Sequence, residues 1–507
     1  MKIPQRTIDL VCLIAGACLF VAVQSRGESI RERLHRHMAS MPSDYATGRR
    51  AFTRADTLTR EYIVGQFAAC GLKPVSDDGD YLQRFSIIRR IRLVPASSVV
   101  VSSNDSSWVL NRKDEYVAHD ESGDGVFSGG VAFIGYGIRA PQNGYDDFST
   151  VDLRGKTVIC YSSPPTHIDM RLRKMSWQLP YKKKVALIDS LGGRAVVFVM
   201  PASYGKNCNT LRDIDESIHG PDISLWKQAG IPVLRITHDA LARLMDCAGI
   251  DIASVERDLE TASSSRAFVV PAVEVSMNID LERSYAEASN ILGLLEGRDT
   301  TRAIVIGAHY DGPHYNDNAS GVSEMLELAR LCSERSTLDC NLLFAAFGLE
   351  ERGLVGSKHF MNNIPARIGA IKAMVNFDVI GRIDGDTLIV GNLQPEGEWE
   401  GIASTLDNRG LVVESKPWVG GSDSQIFIKR DIPVFWFLEG FHGDPHLRDS
   451  LSSMNLDGME RTLYYAFDLI CRISDDEVKL GDPVHEKPRD PSHGSALPDP
   501  PVREKVR

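Results

Sequence analysis

An α/β fold is predicted: a mixed, mostly parallel sheet flanked by helices, interrupted by a smaller β-rich α/β domain. Three observations carry this prediction. The runs AIVIGA, NLLFAAFG, AIKAMVNF and IPVFWFLEG are short and almost wholly apolar, as strands of a sheet buried on both faces read. After NDNASG, Val322, Met325, Leu326, Ala329 and Cys332 recur at helical spacing, with Asn318 or Ser320 available as the cap. From about Ser106 to Phe268 the texture changes to short strands between turns, GVAFIGYGI, KTVICYS, RAVVFVM and IPVLRI, with helical stretches such as YKKKVALIDSL between them.

Taken in order, the chain opens with Lys2 and Arg6 followed by an apolar stretch from Leu10 to Val23. That stretch has the size of a signal-peptide core and falls short of the ~20 residues a spanning helix needs. Residues 1–25 are therefore expected to be a signal peptide, with Val23-Gln24-Ser25 as the cleavage site. Export to the periplasm or medium follows, with no stable membrane span in the mature chain, or membrane anchoring if the segment is retained. Asp44 to Leu72 reads as helical, because Ile63, Phe67 and Cys70 share one face and Gly71 provides a stop. Residues 26–105 and 269–475 would form one discontinuous domain around an insert at 106–268. The tail 476–507 holds too few apolar residues to pack and is expected to be disordered. A length of 507 residues suits two or three domains.

The net charge of -11 and the lack of a basic stripe argue against nucleic acid as a partner. Cys12 and Cys18 fall in the leader. Cys70, Cys160, Cys208, Cys247, Cys332, Cys340 and Cys471 form neither a disulfide framework nor a zinc knuckle.

The polar residues that follow the apolar runs point to chemistry. They are His309 in AIVIGAHYD, Asp317 in NDNASG, Glu350 and Glu351 in LLFAAFGLEE, Asp378 in AMVNFD, and His446 in FHGDPH. Most would sit just past the carboxyl end of a strand, where open α/β sheets bind ligands. A single histidine at a strand end is ordinarily a hydrogen-bonded structural residue, and a Glu-Glu pair is ordinarily solvated. The ordered set is what carries the argument. Imidazole and carboxylate are the donors of catalytic zinc sites, and paired metals recur in hydrolases. Two histidines, two aspartates and one glutamate suit two zinc ions better than one, leaving the other glutamate free to accept a proton. From the residues alone, either Glu350 or Glu351 fills the free role. Asp311, two residues after His309, is placed to accept the second ring N–H and fix the tautomer.

GAHYD, DNASG, FAAFGLEERGLVGSKHF, NFDVIGR, then SD with a distal His resemble the zinc-dependent exopeptidases that include bacterial leucyl aminopeptidases, glutamate carboxypeptidase and the transferrin receptor. The resemblance runs from about Met41 to about Asp475. It implies a di-zinc exopeptidase fold acting on peptide substrates, with two zinc ions held by His309, Asp317 (bridging), Glu351, Asp378 and His446. It also implies that Glu350 is the general base and that the Asp317–Asn318 peptide is cis. The segment GYGIRAPQNGYDDFSTVDLRGKTVICY resembles the protease-associated domain found inserted in many of these enzymes.

The chain departs from the family pattern in two places. HYDGPHYND is short, adding His314 and carrying Asn316 where many members have a second aspartate. The spacing after His446 to the next aspartate is also short, which makes His442 a fallback ligand. An aminopeptidase is the expectation. A carboxypeptidase would need an arginine cluster, for which Arg382 and Arg448 are the available residues. A glutaminyl-cyclase-like enzyme with a single zinc fits poorly beside both His309 and Asp378. A receptor-like protein would be expected to have lost ligands, since fold alone does not carry function.

Overall fold

The computed structural model describes residues 27–42, 48–163, 181–211, 230–261, 265–392, 401–416, 421–439, 449–477 and 480, apart from 77, 105, 120–121, 336, 384–385 and 403–404. The expected signal peptide, almost all of the 476–507 tail, and His442, His446 and Arg448 lie outside the described residues. The described chain forms two compact units. One runs to Ile87 and resumes at Ala286; the other spans Ile88 to Tyr285. Both boundaries fall within long strands, Leu82–Leu93 and Leu281–Leu295.

The first unit is built on a nine-stranded mixed sheet. Its centre is four adjacent parallel strands, in the order Cys340–Phe347, Asp299–His309, Ala370–Phe377 and Val434–Glu439. These are the four apolar runs of the sequence. Leu281–Leu295 pairs antiparallel at one side and Thr387–Asn392 at the other, which makes the sheet mixed. The continuous apolar character has a direct cause, since both faces of the sheet are covered. Ile304, Ile306 and Ala308 pack with Leu34, Met38, Val322, Met325 and Leu463 from the helices Ile30–Ser40, Ala319–Ser333 and Leu456–Ser474. Ala303 and Val305 point the other way, toward Phe360, Met361 and Phe427 of the helices Val355–Asn362 and Ser424–Ile428. Each fully buried Ile or Phe contributes about 1.5–3 kcal/mol.

The helix expected from Asp44 to Leu72 is shorter than the sequence suggests. It spans Arg54–Ala69, with Thr53 as its cap accepting from the Asp56 N–H at 3.2 Å. The backbone just before it cannot be helical: Phe52 has φ 69° and Gly48 φ 42°. Residues 43–47 of the expected helix lie outside the described residues.

The second unit holds an eight-stranded sheet. Its middle strands, Gly125–Phe133, Thr157–Tyr161, Ala195–Val199 and Val233–Ile236, are parallel neighbours. Phe268–Ile279 and Ser98–Ser103 extend it antiparallel. The helix Tyr181–Ser190 covers it through Val185 and Ile188, as the YKKKVALIDSL pattern leads one to expect. Among the described residues no helix is long and apolar enough to cross a membrane, and the described cysteines are free.

Candidate metal centre

Because the central strands are parallel and in register, their carboxyl ends open at one level. Gly307 pairs with Asn376, so His309, the last residue of its strand, and Asp378, the first residue after its own, emerge side by side. His309 Nε2 lies 3.1 Å from Asp378 Oδ1 and 3.1 Å from Asp317 Oδ1. His309, Asp317 and Asp378 each offer a ligand atom within 4.8 Å of the others, as a group that could hold a metal ion.

The other ring nitrogen, Nδ1, donates to the Asp311 main-chain oxygen at 3.2 Å, while the Asp311 carboxylate stands 3.7 Å away. That carboxylate instead accepts the Glu350 N–H at 3.0 Å. Asp311 therefore ties the imidazole to the loop that carries the two glutamates.

Asp317 is presented by the turn that starts the helix Ala319–Ser333. The Asp317–Asn318 peptide is cis. Asn318 is the cap: its Oδ1 accepts from the Gly321 N–H at 3.1 Å, and its Nδ2 donates to the Phe377 carbonyl at 2.9 Å. Glycine is needed at 321, where a Cβ would stand 2.4 Å from the Phe377 oxygen. DNASG is thus the contact between the helix start and the strand that delivers Asp378. Leu349 and Val379, flanking Glu350 and Asp378, hold φ near +60°. For a β-branched residue such as Val379 this costs about 1–3 kcal/mol and persists where surrounding structure enforces it.

Glu350 and Glu351 follow the strand Cys340–Phe347. Burial together with Asp423, Asp378 and Asp311 raises the Glu350 carboxyl against the opposing pull of His309. Glu351 is more exposed, yet partial burial and Asp317 still raise it to about 7. Its carboxylate lies over Gly312, where a Cβ would come within 3.0 Å of Oε1. Glu351 stays outside the tight triad. Burial lowers the basicity of His309, but Asp378 and Glu350 outweigh it and leave the ring well above its ordinary value. So many carboxylates around one imidazole describe a place that takes positive charge. Oxygen and imidazole donors together suit zinc.

Several neighbours are marked in the sequence by motif or spacing, without a role. Asp423 is fully buried, and burial raises it to about 7, with His309 and a Ser357 hydrogen bond opposing the rise and Asp378 and Asp311 adding to it. Its SD pair was legible as a motif but not as a role. The Asp449 carboxylate accepts the N–H groups of Tyr315 and Asn316 at 2.6 and 3.0 Å. Asn316 donates to Glu439 at 2.9 Å and accepts from the Gly381 N–H at 2.8 Å. Arg49 reaches the same loop from far earlier in the chain.

Oxygen and nitrogen donors converging past the ends of a parallel sheet define a metal-site α/β protein. Residues 290–468 match the model of peptidase family M28, and the chain carries a domain of that family. An aminopeptidase of Pseudomonas aeruginosa is 34% identical over 139 residues, covering 25% of this chain and 26% of the relative. A leucine aminopeptidase 2 of Trichophyton rubrum is 30% identical over 177 residues, covering 32% and 36%. The aligned part thus spans about a quarter to a third of the length of these curated relatives. Among solved structures, an aminopeptidase from Aneurinibacillus sp. strain AM-1 aligns over 90% of this chain and 95% of its own, with 19% identity and a TM-score of 0.49. A zinc aminopeptidase from Bacillus subtilis aligns over 89% and 97%, with 20% identity and a TM-score of 0.47.

Proposed function

We propose that the protein is an exported zinc-dependent aminopeptidase that removes amino-terminal residues from peptides. The observation that carries this reading is the His309–Asp317–Asp378 triad at the mouth of a parallel sheet, in a segment matched by a peptidase family. The relatives named aminopeptidase support the direction of attack on the chain. Two zinc ions are proposed, held by the triad with Glu351 and His446. Bound zinc would supply Lewis acidity and a water nucleophile near neutral pH.

The chain's own residues do the rest. Glu350 accepts the proton of the attacking water and returns it to the departing amine. Asp311 holds the Glu350 backbone through its N–H and holds the His309 ring through its carbonyl. The carboxypeptidase reading needs an arginine cluster; Arg382 Nε stands 3.9 Å from the Glu439 carboxylate, and Arg448 lies outside the described residues. The second unit is proposed to be a protease-associated insert that shapes access to longer substrates. Export rests on the amino-terminal sequence.

A matched peptide set tests the reading: one peptide with a free amino terminus, the same peptide acetylated, and the same peptide amidated at its carboxyl end. Stepwise loss of amino-terminal residues from the first and third, with the acetylated peptide intact, is expected. Release from the carboxyl end would overturn it.

A further inference from the structure

Arg49 is fully buried, although nothing in its local sequence marks it out. Its fork is spent on main-chain carbonyls. Nε donates to the Tyr310 oxygen at 3.0 Å, and Nη2 to the His314 oxygen at 2.5 Å and the Asp317 oxygen at 3.4 Å. Nη1 reaches the Pro42 oxygen at 3.4 Å, and the Arg49 N–H donates to the Gly312 oxygen at 3.0 Å. Tyr310, Gly312, His314 and Asp317 belong to one irregular loop, HYDGPHYND, whose two ends are His309 and Asp317.

A loop without strand or helix partners must find donors for its buried carbonyls elsewhere. Here one guanidinium serves three of them, those of Tyr310, His314 and Asp317. The approach is close: Gly48 has φ 42°, and a Cβ there would lie 2.4 Å from Pro313 Cα. The loop's amides are held from a different part of the chain, by the Asp449 carboxylate on Tyr315 and Asn316. Carbonyls go to a cation and amides to an anion, so the loop is fixed on both of its polar edges.

We propose that Arg49 is a positioning residue for the metal centre, setting zinc affinity by holding the 310–317 backbone so that the Asp317 carboxylate faces His309. This rests on the zinc reading above. Burial lowers the Arg49 guanidinium only to about 10, with Asp317, Asp311 and Asp449 supporting its charge, so the fork stays charged at neutral pH. A planar five-donor fork can serve three carbonyls at once, whereas an ammonium acts as a point charge. Arg49→Lys therefore keeps charge and loses geometry, and Arg49→Gln loses both. Residues that orient a ligand without touching the metal are typically worth about 10–100-fold in affinity.

The experiment measures zinc dissociation constants of the full-length protein and both variants by competition with a chromogenic chelator. The melting temperature of each metal-free protein is read in parallel. Expected is a weakening of about 10–100-fold for Arg49→Gln and an intermediate loss for Arg49→Lys, with the zinc-induced rise in melting temperature shrinking in the same order. Folded variants that bind zinc like wild type would overturn the proposal. So would a fall in metal-free melting temperature with an unchanged zinc-induced rise, since that is a purely structural role. Failure of both variants to fold also counts against it, because it assigns Arg49 to the loop and not to the fold. A wild-type protein that takes up no zinc would instead refute the metal-centre reading itself.

Discussion

His309 Nε2 and Asp378 Oδ1 stand 3.1 Å apart although 69 positions separate them in the chain. Two parallel strands in register produce that meeting, since Gly307 and Asn376 are already paired two residues earlier. The contact is therefore a property of the sheet, and either side chain can be changed without disturbing how the strands pair. His309→Ala and Asp378→Asn should each leave a folded protein whose zinc affinity falls by more than about 100-fold, exceeding the effect of an outer partner. Elemental analysis after gel filtration, with circular dichroism as the folding control, reads this out.

Glu350 and Glu351 should separate cleanly. Glu350→Gln is expected to retain zinc and lose about 10²–10⁴ in turnover, the usual worth of a general base. Glu351→Gln should weaken metal binding first. Zinc content measured on both variants distinguishes them, and a Glu350→Gln protein that comes out metal-free would reverse the two roles.

Away from the site, Glu327 joins two helices. Its carboxylate lies 2.9 Å from Arg33 Nε, 3.1 Å from His37 Nε2 and 3.0 Å from Arg330 Nε, at 1% side-chain exposure. Burial alone would raise the carboxyl, but His37, Arg33 and Arg330 hold it down at about 2, from an ordinary 4.5. Burial likewise depresses His37, against the pull of Glu327. Both groups bind protons more readily in the unfolded chain, so their stabilisation is lost on acidification. The His37 contribution begins to fall below its unfolded value of about 6.5, and that of Glu327 between about 4.5 and 2. Glu327→Ala should cost about 3–5 kcal/mol at pH 7, because it strands buried cations. The melting-temperature gap between wild type and Glu327→Gln, measured on metal-free protein, should narrow from pH 7 to pH 3.

The second unit offers a deletion test. The strands Leu82–Leu93 and Leu281–Leu295 pair, so joining Ile87 to Ala286 through a short glycine-containing turn removes Ile88–Tyr285 with little rebuilding. Zinc content should be largely kept. KM for peptides of several residues should rise, or selectivity among them relax, more than for single-residue chromogenic substrates. Equal kinetics on both substrate classes would make the unit a bystander to catalysis.

Much of this was legible before any coordinates. The runs around Ile304, Leu342, Val375 and Phe435 read as doubly buried strands because parallel strands have no polar face. DNASG offered Asn318 or Ser320 as the cap, and Asn318 fills the role. What could not be read depends on distant meetings. Arg49 lies in a stretch taken for helix, and only its approach to Pro313 shows why Gly48 and Phe52 leave helical geometry. Asp449 looks like loop acid until the Tyr315 and Asn316 amides are seen to point at it. Asp311 was expected to hold His309 through its carboxylate, and the main-chain carbonyl stands nearer, because the carboxylate is drawn to the Glu350 amide.

The account stands or falls most directly on metal-dependent hydrolysis. The full-length protein would be stripped with a strong chelator, verified metal-free by elemental analysis, and assayed on leucine p-nitroanilide during stepwise zinc addition. The account predicts no measurable hydrolysis by the stripped protein and full recovery on zinc addition, complete near two equivalents. Undiminished hydrolysis by the verified metal-free protein would contradict it.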